Sequence, residues 1–66
     1  MSVAKVIEIS AKSEKSFEDA IKIGVAKASK SVKGIKSVWV KDQEAEVDNG
    51  KVTAFKVGMK VTFVID

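Results

Sequence analysis

Apolar and polar residues recur along this chain with two different periods. Residues 3–10, VAKVIEIS, are rich in β-branched side chains in partial alternation and predict a first strand. After a polar loop, apolar positions recur at the three- and four-residue spacing of one helix face, which predicts an amphipathic helix of about 15 residues. These positions are Phe17, Ala20, Ile21, Gly24, Val25, Ala28 and Val32.

The expected ends of this helix carry capping residues. The Ser16 hydroxyl can accept from an unpaired backbone N–H in the first turn, and the Asp19 carboxylate can reach back toward the cap and favours the positive end of the helix dipole. Gly34 is the predicted left-handed residue that caps the other end. Gly24, inside the apolar stripe, is expected to mark a close approach of the helix to the sheet.

A second strand is predicted from about Lys36 to Val47. Its alternation breaks once, because Val38 and Val40 occupy even positions whereas Ala45 occupies an odd one. One extra residue in a β-bulge reverses the facing of the residues that follow it. The sequence therefore predicts a bulge near Asp42–Gln43.

Asn49-Gly50 is the strongest hairpin signal in the chain, and it predicts a tight turn into a third strand from about Lys51 to Ile65. In that strand Phe55, Val57, Met59, Val61, Phe63 and Ile65 line one face, and Lys56, Gly58, Lys60 and Thr62 line the other. The predicted fold class is α+β: a single domain over residues 1–66 with β-α-β-β order, in which a three-stranded antiparallel sheet wraps on one helix.

The size of the chain predicts that it oligomerises. A domain of 66 residues buries only roughly 60% of its unfolded surface, so it needs further stabilisation. With no Cys and no His, disulfides and ordinary zinc sites are excluded. A third strand of roughly 45 Å also exceeds what a helix of roughly 23 Å covers. The uncovered part of the sheet is expected to meet another subunit.

Charge and composition narrow the classes of function. The net charge of +3 comes from twelve lysines against nine Asp and Glu. There is no arginine, the residue on which nucleic-acid recognition relies for bidentate contacts. The lysines are spread along the chain, and we expect no nucleic-acid partner.

No apolar run approaches the roughly 20 residues of a membrane span, and no signal peptide is recognised, so a cytoplasmic protein is expected. Without His, Cys or a glycine-rich phosphate loop, we expect no enzyme.

The order of the elements and several motifs resemble the dodecin family. The matching stretches are KVIEISAKSEKSFEDAI, VAKASKSVKGIK and VDNGKVTAFKVGMKVTFVID, which cover nearly the whole chain without gaps. The resemblance implies a hollow homododecamer that binds or stores a small ligand without turning it over. In the best-known members that ligand is a flavin, riboflavin or FMN, bound at two-fold subunit contacts.

Carried over by position, the family's flavin contacts are altered in this chain. The tryptophan that stacks on the isoalloxazine falls on Ser37, and Trp39 takes the place of a glutamate. The glutamine that bonds the flavin falls on Lys56. The sequence is more similar to a branch that lacks the stacking tryptophan, in which one mycobacterial member is described as a calcium dodecin.

Two alternatives for the outer side of the second strand stay open. Trp39, roughly 6.6 Å along the strand from the stacking position, either stacks on a planar ligand from a shifted place or packs across a subunit interface. Glu44 and Glu46 offer oxygen ligands to Ca²⁺ where symmetry gathers several chains. Otherwise they form ion pairs with lysines of a neighbour, such as Lys41 and Lys60.

Overall fold

The computed structural model describes residues 3–65 and contains four elements in the predicted order. Strand β1 spans Val3–Ser13, helix α1 spans Phe17–Ala28, strand β2 spans Ile35–Asp48 and strand β3 spans Lys51–Ile65. The strands form one antiparallel sheet in the order β1-β3-β2. The predicted α+β class, with a three-stranded antiparallel sheet and one helix, is confirmed.

The core lies between α1 and one face of the sheet. Val57, Met59 and Val61 of β3 are almost completely buried, and Ala20 of α1 packs among them. Strand β3 is central, so its apolar face receives cover from the helix above and from strands on both sides. Side chains of β3 therefore alternate, as predicted, between the face that the helix covers and an outer face that no element within residues 3–65 covers.

Gly24 lies where the helix approaches the sheet most closely. A Cβ built on Gly24 would stand 2.5 Å from Met59 Cε and 3.1 Å from the Cβ of Ala11 on β1. A methyl group at this position would have to displace the flexible end of Met59 and move the helix and β1 apart by a few tenths of an ångström. The predicted close-approach role of Gly24 is confirmed.

The start of the helix is as predicted in one respect and different in another. Ser16 is the N-cap, and its Oγ accepts from Asp19 N at 2.9 Å. The Asp19 carboxylate does not reach back to the cap: its Oδ2 accepts from the hydroxyl of Ser13, at 2.6 Å. Ser13 is buried at the end of β1, so this bond ties the strand to the helix start.

The far end of the helix comes earlier than predicted. The helix has 12 residues rather than about 15 and ends at Ala28, with Ser29 as a right-handed C-cap. Gly34 does adopt a positive φ of 78°, but it lies beyond an intervening turn and is not the helix cap. Its carbonyl instead accepts from Val64 N at 3.1 Å, which joins the start of β2 to the end of β3.

Strand β1 is longer than predicted, because its pairing with β3 continues past residue 10 to Ser13 opposite Phe55.

The predicted bulge in β2 is present one residue early: Val40 pairs with Met59 and Asp42 with Gly58, which leaves Lys41 as the extra residue. Further register shifts lie near each end of β2.

The turn at Asn49-Gly50 has φ values of 55° and 78°, which is the positive-φ pair expected of a tight hairpin. The β2–β3 hairpin extends well beyond the helix, along a molecule whose longest dimension is 52 Å. Val47 and Val52 near its tip are 63% and 53% exposed. The expectation that the helix is too short to cover the sheet is confirmed.

Candidate ligand-binding face

The outer face of the sheet collects every site residue that the sequence indicated. It consists of the side chains opposite the helix. In β3 these are Lys56, Gly58, Lys60 and Thr62; their partners are Lys12, Ser10, Glu8 and Val6 in β1 and Glu44, Asp42, Trp39 and Ser37 in β2. Opposite residues of an antiparallel pair share a face, so the register alone brings these side chains together. Glu46, opposite Ala54, lies on the same face.

Trp39 is the most prominent apolar side chain of the outer face. It is 62% exposed, and Lys60 directly opposite places its ammonium 5.3 Å from the centroid of the indole ring. This is a cation–π contact, which stabilises an exposed pair by about 0.5–1 kcal/mol. Trp39 therefore presents a flat aromatic surface to the outside, with a positive charge already on its ring.

Ser37 lies two residues before Trp39 on the same face, opposite Thr62. A register shift at Lys36 separates Ser37 from Ile35, the first residue of β2. Val6 flanks Thr62 from β1 and is 52% exposed. Ser37 therefore has an open, partly apolar neighbourhood but offers only a hydroxyl, and the aromatic surface comes from Trp39.

Lys56 and the two glutamates are held in ion pairs within the chain. Lys56 Nζ lies 3.5 Å from Glu44 Oε1, and Lys12 Nζ lies 3.5 Å from Glu46 Oε1. These side chains are about half exposed or more, so each pair stabilises the fold by less than about 1 kcal/mol. Within the chain, Glu44 therefore pairs with Lys56 and Glu46 with Lys12.

The donor set for calcium is small within one chain. Among residues 3–65 no group of three or more acidic, His or Cys side chains is arranged to hold a metal ion. Ca²⁺ takes six to eight oxygen ligands, and here Glu44 and Glu46 each already neutralise a lysine. A calcium ion at these residues would need donors from further chains and would have to displace both ammonium groups.

An open depression of about 740 Å³ lies at the middle of the outer face, over Gly58, and the sequence pattern did not predict it. Ser10 and Asp42 flank the glycine, and a Cβ at Gly58 would stand 2.5 Å from Asp42 Oδ1. Nearby, Lys41 Nζ bonds Glu8 Oε2 at 3.1 Å. The sequence signal for this site is Gly58 itself, because a glycine inside a regular strand often marks a place where another group lies close to the backbone, here the Asp42 carboxylate.

None of the helical segments in the described range, residues 3–65, is long and apolar enough to cross a membrane.

The comparisons with known proteins agree on one family. The family model described as Dodecin matches residues 3–66. The dodecin from Streptomyces davaonensis is 25% identical, with 98% of this chain and 96% of that chain covered and a TM-score of 0.93. A Thermus thermophilus protein, tt0972, is 26% identical, with 100% and 97% covered and a TM-score of 0.93.

A third similar structure is that of the calcium chelating immunodominant antigen of Mycobacterium tuberculosis, called calcium dodecin and described with a novel calcium-binding site. It is 35% identical, with 98% of this chain and 93% of that chain covered and a TM-score of 0.83. Comparison with the curated proteins gave no match. The family model spans nearly the whole chain, and the chain belongs to the dodecin family.

Proposed function

We propose that this protein is a non-enzymatic homododecameric shell that binds a small planar ligand on the outer face at subunit contacts, with a flavin, riboflavin or FMN, as the leading ligand. The observation that carries this proposal is the 62% exposure of Trp39, the single tryptophan of the chain, on a sheet face that the helix leaves uncovered. Large aromatic side chains at uncovered faces serve interfaces and planar ligands.

The residues present fit a flavin in part. Ser37 supplies no ring, but Trp39 supplies one on the same face, so the isoalloxazine would stack one step further along β2. Lys56 would donate to a carbonyl or phosphate oxygen, at the expense of its 3.5 Å pair with Glu44. When bound, the flavin would supply a planar, electron-poor ring for stacking, and this chain would hold it without turnover.

The test is a flavin titration of the oligomer with matched variants, in which riboflavin binding is measured by equilibrium dialysis. Stacking on an aromatic side chain contributes about 1–3 kcal/mol, so Trp39→Ala should weaken binding at least about fivefold, whereas Trp39→Phe, which keeps a ring, should lose less. Ser37→Trp should strengthen binding by restoring the family's ring. Native mass spectrometry of each variant separates lost ligand from lost assembly.

Equal riboflavin affinity of Trp39→Ala and the parent protein would contradict stacking on Trp39. A native mass other than that of twelve subunits would contradict the dodecamer. A twelve-subunit mass with no flavin increment, unchanged after riboflavin or FMN is added, would contradict the flavin proposal as a whole.

The second candidate is a calcium-binding or purely structural shell without flavin. It is supported by the 35% sequence identity to the calcium dodecin, which exceeds the 25% and 26% identities to the Streptomyces davaonensis and Thermus thermophilus proteins. In the calcium-binding form, Glu44 and Glu46 from several chains would together bind Ca²⁺. Calorimetric titration with Ca²⁺ should then show binding that Glu44→Gln abolishes. The control Glu18→Gln, on the helix, should leave binding intact, and Lys56→Met should strengthen it by removing the competing ammonium. No heat of Ca²⁺ binding would exclude the calcium site.

A further inference from the structure

We propose that Asn49 is a site of spontaneous deamidation in the folded protein, and that opening of the hairpin tip controls its rate. The hairpin tip consists of the turn Asn49-Gly50 and the two residue pairs next to it, Val47–Val52 and Asp48–Lys51. The modification needs no ligand, so the inference goes beyond the proposed function and is independent of it.

The reaction joins the backbone of Gly50 to the side chain of Asn49. The Gly50 nitrogen attacks Asn49 Cγ and forms a bond to it. The bond from Cγ to Nδ2 breaks, and the Gly50 amide proton leaves with the Nδ2 group as ammonia. The resulting five-membered succinimide ring is opened by one water molecule to aspartate or isoaspartate, so no oxidant, reductant or cofactor is consumed.

Both reacting groups are exposed and free of hydrogen bonds within the part of the chain that the structure describes. Outside the helix and the strand ladders of residues 3–65, no hydrogen bond involves the Asn49 amide or the Gly50 N–H. A Cβ built on Gly50 would meet no atom within 4 Å, and glycine has no side chain to hinder the approach of its own nitrogen. Asn49 is also the only asparagine in the chain, so the reaction has one site.

In the closed turn the two reacting groups point apart. Asn49 has a φ of 55°, in the left-handed region where ψ is typically about +47°. At that ψ the Gly50 nitrogen lies anti to the Cβ of Asn49, so Cγ cannot reach it. Ring closure therefore requires rotation about the Asn49 Cα–C bond, and the turn has to open first.

The hairpin tip is held weakly enough to open by itself. A register shift between Glu46 and Val47 separates it from the rest of the ladder, so only its two residue pairs close the turn. Val47 and Val52 are 63% and 53% exposed, and opening therefore removes little buried apolar contact. Segments with few buried contacts open locally at a much smaller free energy than global unfolding. Asn49 thus reaches the reactive conformation while the rest of the chain stays folded.

Either product changes the hairpin tip permanently. Both aspartate and isoaspartate add a negative charge next to Asp48. Isoaspartate also carries the backbone through the side-chain carbon, which adds a methylene group to a two-residue turn with φ values of 55° and 78°. A turn of this type matches the strand twist only with its own backbone length, so the isoaspartate form should lose the pairing of the hairpin tip.

The test is peptide mass spectrometry of the assembled protein during incubation in mildly alkaline buffer. Cleavage after lysine releases residues 42–51, a peptide that contains Asn49 and also Gln43, the only glutamine in the chain. We expect an amide to be replaced by a carboxyl group at Asn49 and not at Gln43, where ring closure would need a less favourable six-membered ring. Methyl transfer from labelled S-adenosylmethionine by an isoaspartyl methyltransferase identifies the isoaspartate product.

Two matched variants test control by the hairpin tip. Val47→Gly should raise the rate about fivefold, because glycine lacks the side chain and the stiffness that favour a strand. Val3→Gly makes the same change at the far end of the sheet, where Val3 pairs with Ile65 and is likewise 63% exposed, and should leave the rate unchanged. The parent chain unfolded in urea should convert faster than any folded form. Circular dichroism and native mass spectrometry check that each variant folds and assembles.

Absence of conversion in the assembled protein, with conversion of the same chain in urea, would overturn the inference, because the closed turn would then protect Asn49. Equal rates in Val47→Gly and the parent protein would overturn control by the hairpin tip, and so would equal acceleration by Val3→Gly and Val47→Gly. The proposed function is tested separately by riboflavin binding, which none of these outcomes decides.

Discussion

Replacing Gly24 by alanine tests how closely the helix lies on the sheet. In an open helix this change stabilises by about 1 kcal/mol, because alanine is the better helix former. Here the new methyl would stand 2.5 Å from Met59 Cε and 3.1 Å from Ala11 Cβ, and Met59 is only 1% exposed. Overpacking costs about 1–3 kcal/mol, so we expect Gly24→Ala to lower the free energy of unfolding by about 1 kcal/mol.

The same substitution should behave differently once Met59 is shortened. Met59→Ala removes three heavy atoms, worth about 0.8 kcal/mol each, and leaves a cavity, so we expect a loss of about 3 kcal/mol. In that background the atom nearest to the new methyl of Gly24→Ala is gone. The helix preference of alanine then dominates, and the double variant should be about 1–2 kcal/mol more stable than the two single effects together imply.

Guanidinium denaturation followed by circular dichroism, at one fixed protomer concentration, measures these differences, since the stability of an oligomer depends on concentration. The control cycle pairs Gly24→Ala with Val61→Ala. Val61 is fully buried, but the three atoms nearest to the new methyl belong to Met59, Ala11 and Ile9. That cycle should be additive within about 0.5 kcal/mol. Additivity in the Met59 cycle as well would refute the proposed contact.

Three further predictions concern local structure, each measured as a change in the free energy of unfolding. Ser16→Ala should cost about 1 kcal/mol through the lost N-cap to Asp19 N, and unchanged stability would contradict the cap. Ser13→Ala should cost about 1.5–3 kcal/mol, because the buried hydroxyl donates to the charged Asp19 carboxylate. Gly34→Ala should cost more than Gly50→Ala: both have φ of 78°, but a Cβ at Gly34 also meets a backbone oxygen at 3.1 Å, whereas Gly50 is open. Equal costs would contradict that difference.

The sequence by itself determined the elements whose signals are local. Ser16 begins the helix because its hydroxyl caps an N–H three residues away, and Asn49-Gly50 turns the chain because both residues tolerate positive φ. The bulge in β2 was also readable, because alternation has a strict period of two and one extra residue reverses it. Dodecin membership rested on the same local motifs in order.

Only the tertiary structure decided the features that depend on a partner. The polar end of β1 reads as a loop, yet it stays a strand to Ser13 because β3 offers it a backbone ladder to Phe55. The helix ends early at Ala28, because the chain turns there to enter β2. The extension of β1 depends on hydrogen bonds to residues far away in the sequence, and the segment after the helix is joined to β3 by the bond from Val64 N to the Gly34 carbonyl.

The candidate site also has features that the sequence predicted and features that only the tertiary structure decided. Alternation together with the predicted bulge placed Trp39 and Glu44 on one face of β2, because one extra residue reverses the facing, and alternation placed Lys56 on the face of β3 opposite its apolar stripe. The positions of Lys60 on the Trp39 ring and Lys56 beside Glu44 required the register of β2 against β3, which the bulge at Lys41 shifts by one residue. Periodicity specifies a face, whereas only strand pairing specifies which side chains meet on it.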